Sequence, residues 1–261
     1  MKSIALTISM FLTALFVFGQ EVTDTATVPQ KKVTFSVTGN VTFANTNEAP
    51  RVGKIIGPYG LNITPFVQLN MKTRKTAGWY CWVFKSVTPT HIDQPGNYLQ
   101  FAMGKQIKIG KYVILDPHAS YFIPQEEYFF KNDQTTWIFA LLAATHVSRK
   151  SANNPNETHM VNVFINRFEN TNGSGSGWSF RLAWKKSIKY ALLEVKTWYN
   201  DGLFNTDPGF NGAITVMTNR YAISKRMYIQ GTVTGFVNFT RNTDNPFTND
   251  AGVVGLVVGY Q

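Results

Sequence analysis

His118 and Ser120 are spaced so that an extended chain places both on one face, with the imidazole within reach of the hydroxyl as general base to nucleophile. Asn132 is the candidate to orient that ring. A second group carries charge: Lys72, Arg181, Lys185 and Lys196, with the acid Glu194 among them. Such a group acts through its field, attracting anions, or is cancelled internally if Glu194 pairs with Lys196 or Arg181. Metal chemistry has less support. His91, His118, His146 and His159 are dispersed along the chain, and Glu126, Glu127 and Asp133 read better as a solvated loop than as a calcium site. The lone Cys81, in Trp79-Tyr80-Cys81-Trp82, excludes an internal disulfide and a thiolate zinc site and reads as a small packed side chain. No cofactor is expected.

The elements that position these residues are extended. From Val33, the positions Val33, Phe35, Val37, Gly39, Val41 and Phe43 alternate with Thr34, Ser36, Thr38, Asn40, Thr42 and Ala44. This is the period of two of a strand with one apolar face. It recurs with Leu61 to Met71 against Asn62 to Lys72, with Val161, Val163 and Ile165 against Asn162, Phe164 and Asn166, and with Met227, Ile229, Val233 and Val237 against Tyr228, Gln230, Thr232 and Thr234. The triplets Asn40-Val41-Thr42, Asn62-Ile63-Thr64 and Asn238-Phe239-Thr240 match glycosylation sites but fall on these strands, where they read as inward polar residues.

Composition narrows what such strands build. Hydrophobic residues make up 44% and charged residues 15% of 261, with a formal net charge of +10. That charged share is well below the roughly one quarter of a soluble domain. Disorder is excluded. Residues 1–20, with Lys2 before an apolar run from Ile4 to Phe18, read as a secretory signal peptide, and residues 21–31 as a flexible periplasmic leader. Nothing later approaches the roughly 18 apolar residues of a helical span. If the chain crosses a membrane, it does so as strands.

Alternation alone does not distinguish a soluble sandwich, apolar inward, from a membrane barrel, apolar outward. Strand length and connection rhythm do. The strands run about 10 to 13 residues, which suits a tilted span of roughly 9 to 11 better than a sandwich strand of about 5 to 6. Long connections at Asn45–Gly60, Val87–Gly96, Phe122–Asp133, Glu169–Gly177, Asn200–Phe210 and Thr240–Ala251 alternate with short turns at Thr73–Gly78, Lys108–Lys111, Lys185–Lys189 and Ala222–Lys225, with Ser148–Thr158 a longer exception. Acids gather in the long connections and bases at the short turns. Tyr112, Tyr190, Tyr221 and Tyr228 near the turns, and Trp178, Trp198 and Tyr199 near the loops, would form two interfacial belts. The reading is an all-β, transmembrane, antiparallel up-and-down barrel of about 12 strands spanning residues 32–261, with both ends on the short-turn side.

The last segment, Gly252 to Gln261, sets Val254, Leu256, Val258 and Tyr260 on one face and Gly255 and Gly259 on the other. With the strand count, this resembles the twelve-stranded outer-membrane barrels of Gram-negative bacteria, and the signal peptide ending near Gln20 is similar to those of Bacteroidota. The His118-Ala119-Ser120 spacing resembles that of outer-membrane phospholipase A, also a twelve-stranded barrel. The family's Ser-Asn-Gly continuation is replaced here by Ser120-Tyr121-Phe122. The segment Glu194 to Tyr199 is similar to a strand of that family without its catalytic residues. The resemblance implies an outer-membrane location with periplasmic termini and contact with outer-membrane lipid.

Twelve strands enclose more than an eight-stranded barrel and less than a 16-stranded porin, so a narrow polar lumen is expected. Strand parity turns Lys72, Arg181, Lys185, Glu194 and Lys196 inward as pore-lining residues, and their positive excess favours passive diffusion of small anionic or polar solutes. The alternatives are a non-catalytic accessory subunit of an envelope complex, bound to a protein partner, and the phospholipase-like enzyme. Nucleic acid is not an expected partner, because no basic and aromatic cluster shares one element.

Overall fold

The computed structural model describes residues 33–46, 48–49, 54–55, 60–72, 78–89, 97–110, 112–126, 129–130, 135–147, 159–171, 176–188, 190–201, 203, 208–238 and 251–260. The segments expected to be signal peptide and leader lie outside these residues. Twelve long strands follow one another: β1 Thr34–Ala44, β2 Asn62–Lys72, β3 Trp79–Ser86, β4 Tyr98–Lys105, β5 Val113–Glu126, β6 Thr136–Val147, β7 His159–Asn170, β8 Gly177–Ile188, β9 Ala191–Asp201, β10 Gly209–Thr218, β11 Met227–Asn238 and β12 Ala251–Tyr260. Each pairs antiparallel with its neighbours in sequence, and β12 pairs with β1, from Gly39 opposite Tyr260 to Ala44 opposite Gly255. The sheet therefore closes. Closure leaves no long strand with an open edge, which is the condition for placing a sheet in hydrocarbon.

Because the side-chain period is two, a slip of one residue would exchange the two faces of any strand. The register shows which way they face. Across the barrel wall Ser36 lies opposite Asn70, Ala102 opposite Ser120, Asn166 opposite Ser179 and Thr215 opposite Thr234, all of one parity. These face inward. The other parity is the exterior, where Phe35, Met103, Phe139, Leu182, Ile214, Val233 and Leu256 are all exposed, Met103 by 63% and Leu182 by 51%. A soluble protein would not cover its whole circumference with such residues. On a transmembrane barrel they are the lipid-facing band.

Two inward tyrosines depend on glycines in the facing strand. Tyr80 lies opposite Gly104 and Tyr228 opposite Gly259, and each ring occupies the space that a Cβ on the glycine would need. At the long-connection end, Asn45 extends the β1–β12 seam past the last strand pair. Its backbone N–H donates to the Val254 carbonyl at 3.1 Å, its Oδ1 accepts from the Val254 N–H at 2.8 Å, and its Nδ2 donates to the Gly252 carbonyl at 3.2 Å.

Several expectations are revised. β5 continues through Phe122 to Glu126, because Phe122 and Pro124 still pair with Gln100 and Tyr98. β8 runs to Ile188, so Lys185 lies within a strand and not in a turn. Tyr112, Tyr190 and Tyr221 are exposed near the short turns, as a belt requires, but Trp198 and Tyr228 have the inward parity and are buried. In Trp198-Tyr199 it is the tyrosine that faces lipid. Cys81 is not packed inside; it sits exposed on the outer face of β3 between the inward Tyr80 and Trp82. The interior is also less uniformly polar than expected. Two apolar clusters occupy it, one of Ile138, Phe168 and Leu203 with Phe122 against them, the other of Trp198, Ala213, Phe236 and Val253. An interior too wide for short side chains to fill is partly filled by large ones.

Candidate functional site: the lumenal wall

Four of the five residues expected to line the lumen come together on β8 and β9. The register sets Lys185 opposite Glu194, Ala183 opposite Lys196 and Arg181 opposite Trp198. Lys185 Nζ lies 3.1 Å from Glu194 Oε1, and Lys196 Nζ lies 3.6 Å from Glu194 Oε2. Both Glu194 and Lys196 are buried in the wall. One carboxylate thus bridges two ammonium groups. Of the two partners expected for Glu194, Lys196 makes the close contact; the Arg181 guanidinium carbon stands 4.8 Å from the Phe164 ring centroid, and Lys196 Nζ is 5.6 Å from that of Trp198. Lys72 ends β2, opposite Thr34, several strands away from this group, and its side chain lies outside those described.

Opposite in charge is a group on β3 and β5 whose role the sequence reading did not identify. Tyr80 Oη donates to Asp116 Oδ1 at 2.6 Å, and His118 Nδ1 lies 3.3 Å from the Asp116 carbonyl and 3.6 Å from its carboxylate. The other side of the His118 ring stacks on Phe164 at 5.5 Å, so Phe164 is flanked by His118 and Arg181. Asp116, His118, Ser120 and Phe122 share the inward parity of β5. The signal for this was the pairing with β4, hidden in the sequence because Val113-Ile114-Leu115 and Tyr121-Phe122-Ile123 interrupt the alternation.

His118 and Ser120 do share a face, as their spacing requires, but it is the inner one. Ser120 is buried and its hydroxyl accepts from Gln100 Nε2 at 2.9 Å, while the imidazole turns towards Asp116. The hydroxyl therefore points to the barrel interior and not to the lipid-facing wall. Asn132, Glu127, Asp133 and His91 lie outside the described residues, as do the side chains of Glu126, His146 and His159. Among the described residues no three His, Cys, Asp or Glu side chains gather as metal ligands. The triplet positions Asn62 and Thr64 are inward and bonded: Asn62 Nδ2 donates to Ser86 Oγ at 3.0 Å and Thr64 Oγ1 donates to Asn62 Oδ1 at 2.7 Å.

Among the described side chains on the inward parity, three fixed cations, Arg181, Lys185 and Lys196, face two carboxylates, Glu194 and Asp116. A closed, lipid-facing barrel with such an interior defines the class: an all-β antiparallel transmembrane barrel of twelve strands, of the kind found in bacterial outer membranes. Comparison with protein-family models and with curated proteins finds no match. Solved structures of similar architecture include a NanC porin, at TM-score 0.48 and 6% identity over 87% of this chain and 100% of that one. Two others are OmpT, an outer-membrane protein of Vibrio cholerae, at TM-score 0.40 and 5% identity over 89% and 99%, and an anion-selective porin from Comamonas acidovorans, at 0.33 and 11% over 87% and 98%.

Proposed function

We propose that the chain forms a narrow passive pore in the outer membrane of a Gram-negative bacterium, admitting small anionic or polar solutes, with both chain ends in the periplasm. The observation that carries this reading is the inner wall itself, where, among the described side chains, Arg181, Lys185 and Lys196 outnumber Glu194 and Asp116 inside a low-dielectric cylinder. Field lines confined by such a wall lower the barrier for anions and raise it for cations. Lys72, at the short-turn end, would add to the same field. Purified barrel in a planar bilayer under a salt gradient should show a reversal potential of anion sign, and Arg181→Glu should move it towards the cation side. Absence of ion-selective steps would remove the pore.

One observation favours a second reading. The Lys185–Glu194–Lys196 bridge, together with the two apolar clusters, is also what a filled structural barrel would contain, and such a barrel would serve as an accessory subunit held to a protein partner. Copurification from native membranes separates the two, since a solitary pore brings down lipid and no stoichiometric partner. Neither reading needs catalysis. Phospholipid hydrolysis by the wild type that disappears in Ser120→Ala would overturn that part.

A further inference from the structure

The inner wall is unevenly covered. From β4 to β10 most inward side chains are buried, among them Gln100, Ala140, Asn162, Ala183, Lys196 and Asn211. Along β1, and in the middle of β2, β3 and β11, the same parity is only partly buried, at Thr38, Asn40, Thr42, Gln68, Trp82 and Thr232, whereas Asn62, Thr64, Ser86, Thr234 and Phe236 towards the long-connection end are buried. A side chain that points into a closed cylinder keeps contact with water only where the wall opposite leaves a gap. The gap follows from residue size. β12 turns Gly255, Val257 and Gly259 inward and β1 turns Thr38, Asn40 and Thr42 inward, whereas Phe164 and Phe168 fill the opposite side; Trp198 reaches across to Phe236 and Val253 and closes the long-connection end of β11 and β12. The less filled part of the interior therefore lies off-centre, against β1 and the middle of β2, β3, β11 and β12.

The described inward side chains on the strands of this lane carry no charge between its two ends; at the short-turn end the guanidinium of Arg220 stands 4.3 Å from the Tyr228 ring. Between its ends the lane presents carboxamides and hydroxyls beside two partly buried rings, Phe66 and Trp82, whose centroids are 5.9 Å apart. Gln68 and Asn70 flank the rings on β2, with Gln68 Nε2 donating to Asn70 Oδ1 at 2.6 Å. Rings supply a flat apolar face for C–H groups, and amides replace the water lost by hydroxyls. We propose that the off-centre lane bordered by Phe66, Gln68, Asn70 and Trp82 is a recognition site for small polyhydroxylated solutes. This rests on the pore reading and names the solute class that the pore would favour.

Two measurements test it. In a Cys81→Ala background refolded into liposomes, Thr42→Cys and Thr232→Cys should react with a charged, membrane-impermeant thiol reagent at least tenfold faster than Ala183→Cys. Heat-modifiable migration confirms folding of each variant. Equal or reversed reactivity would show that the lane is misplaced. In planar bilayers, xylitol should reduce the ion current of the wild type in a saturable manner, and Trp82→Ala should weaken that block at least tenfold while raising the open conductance. A conducting wild type that xylitol does not block, or a block unchanged in Trp82→Ala, would overturn the recognition site. A barrel that never conducts would refute the pore reading instead, and the thiol pattern would still decide where the lane runs.

Discussion

Replacing Glu194 by Gln tests the interior electrostatics most directly. The carboxylate sits 3.1 Å from Lys185 Nζ and 3.6 Å from Lys196 Nζ, with side-chain exposures of 8%, 29% and 7% for the three residues. At an effective dielectric of about 20, each contact amounts to roughly 5 kcal/mol of attraction before the cost of desolvation. Removing one partner of a buried pair costs about 3–5 kcal/mol, because the remaining charge is left uncompensated. Lys185 can recover water and the new amide oxygen still accepts from one ammonium, so the loss should fall near 3 kcal/mol, on the order of a hundredfold in the folding equilibrium. The same change doubles the excess of described inward cations over carboxylates. Denaturant unfolding in lipid vesicles, followed by tryptophan fluorescence, should show the destabilisation. Reversal potentials should show stronger anion preference. An unfolding free energy within about 0.5 kcal/mol of wild type would refute the claim that the bridge is held in a low-dielectric wall.

Leu182→Arg places a charge at mid-height on the lipid face and should destabilise the barrel by about 2–4 kcal/mol in vesicles; a loss below about 1 kcal/mol would mean that this face does not meet hydrocarbon. Gly259→Val forces a side chain into the volume of the Tyr228 ring, and should slow refolding and lower the unfolding midpoint, whereas Gly235→Val, with open space around its Cβ position, should leave the midpoint unchanged. Cys81 should react with a lipid-soluble maleimide and resist a membrane-impermeant one, as an outward residue in hydrocarbon does; rapid labelling by the impermeant reagent would place it in water.

Much of this architecture is legible in the chain itself. Strict alternation from Val33 to Ala44 settles which side of β1 is greasy, and the long and short connections count the strands, because both are local properties with a period of two. The same parity turned Arg181, Lys185, Glu194 and Lys196 to one side. What parity does not carry is height and distance around a circle. Glu194 could have met Arg181 or Lys196; it meets Lys196, and the register between β8 and β9 adds Lys185 directly opposite, while Arg181 stands over Phe164. Tyr80 is far in sequence from Asp116 and His118, whose strand is hidden by apolar runs, and the register of β3, β4 and β5 across the side-chain-free Gly104 made them neighbours. The uneven filling of the interior is likewise a tertiary property, since whether Trp198 blocks a lumen or borders it depends on what stands across the barrel. Where alternation is strict, as along β1, the amino-acid order determined which residues face lipid, because that choice is made one strand at a time; for β5 and for Trp198 and Tyr228 it took the pairing with neighbouring strands. The closed cylinder decided which inward residues touch one another and where water can still pass, because those depend on all twelve strands at once.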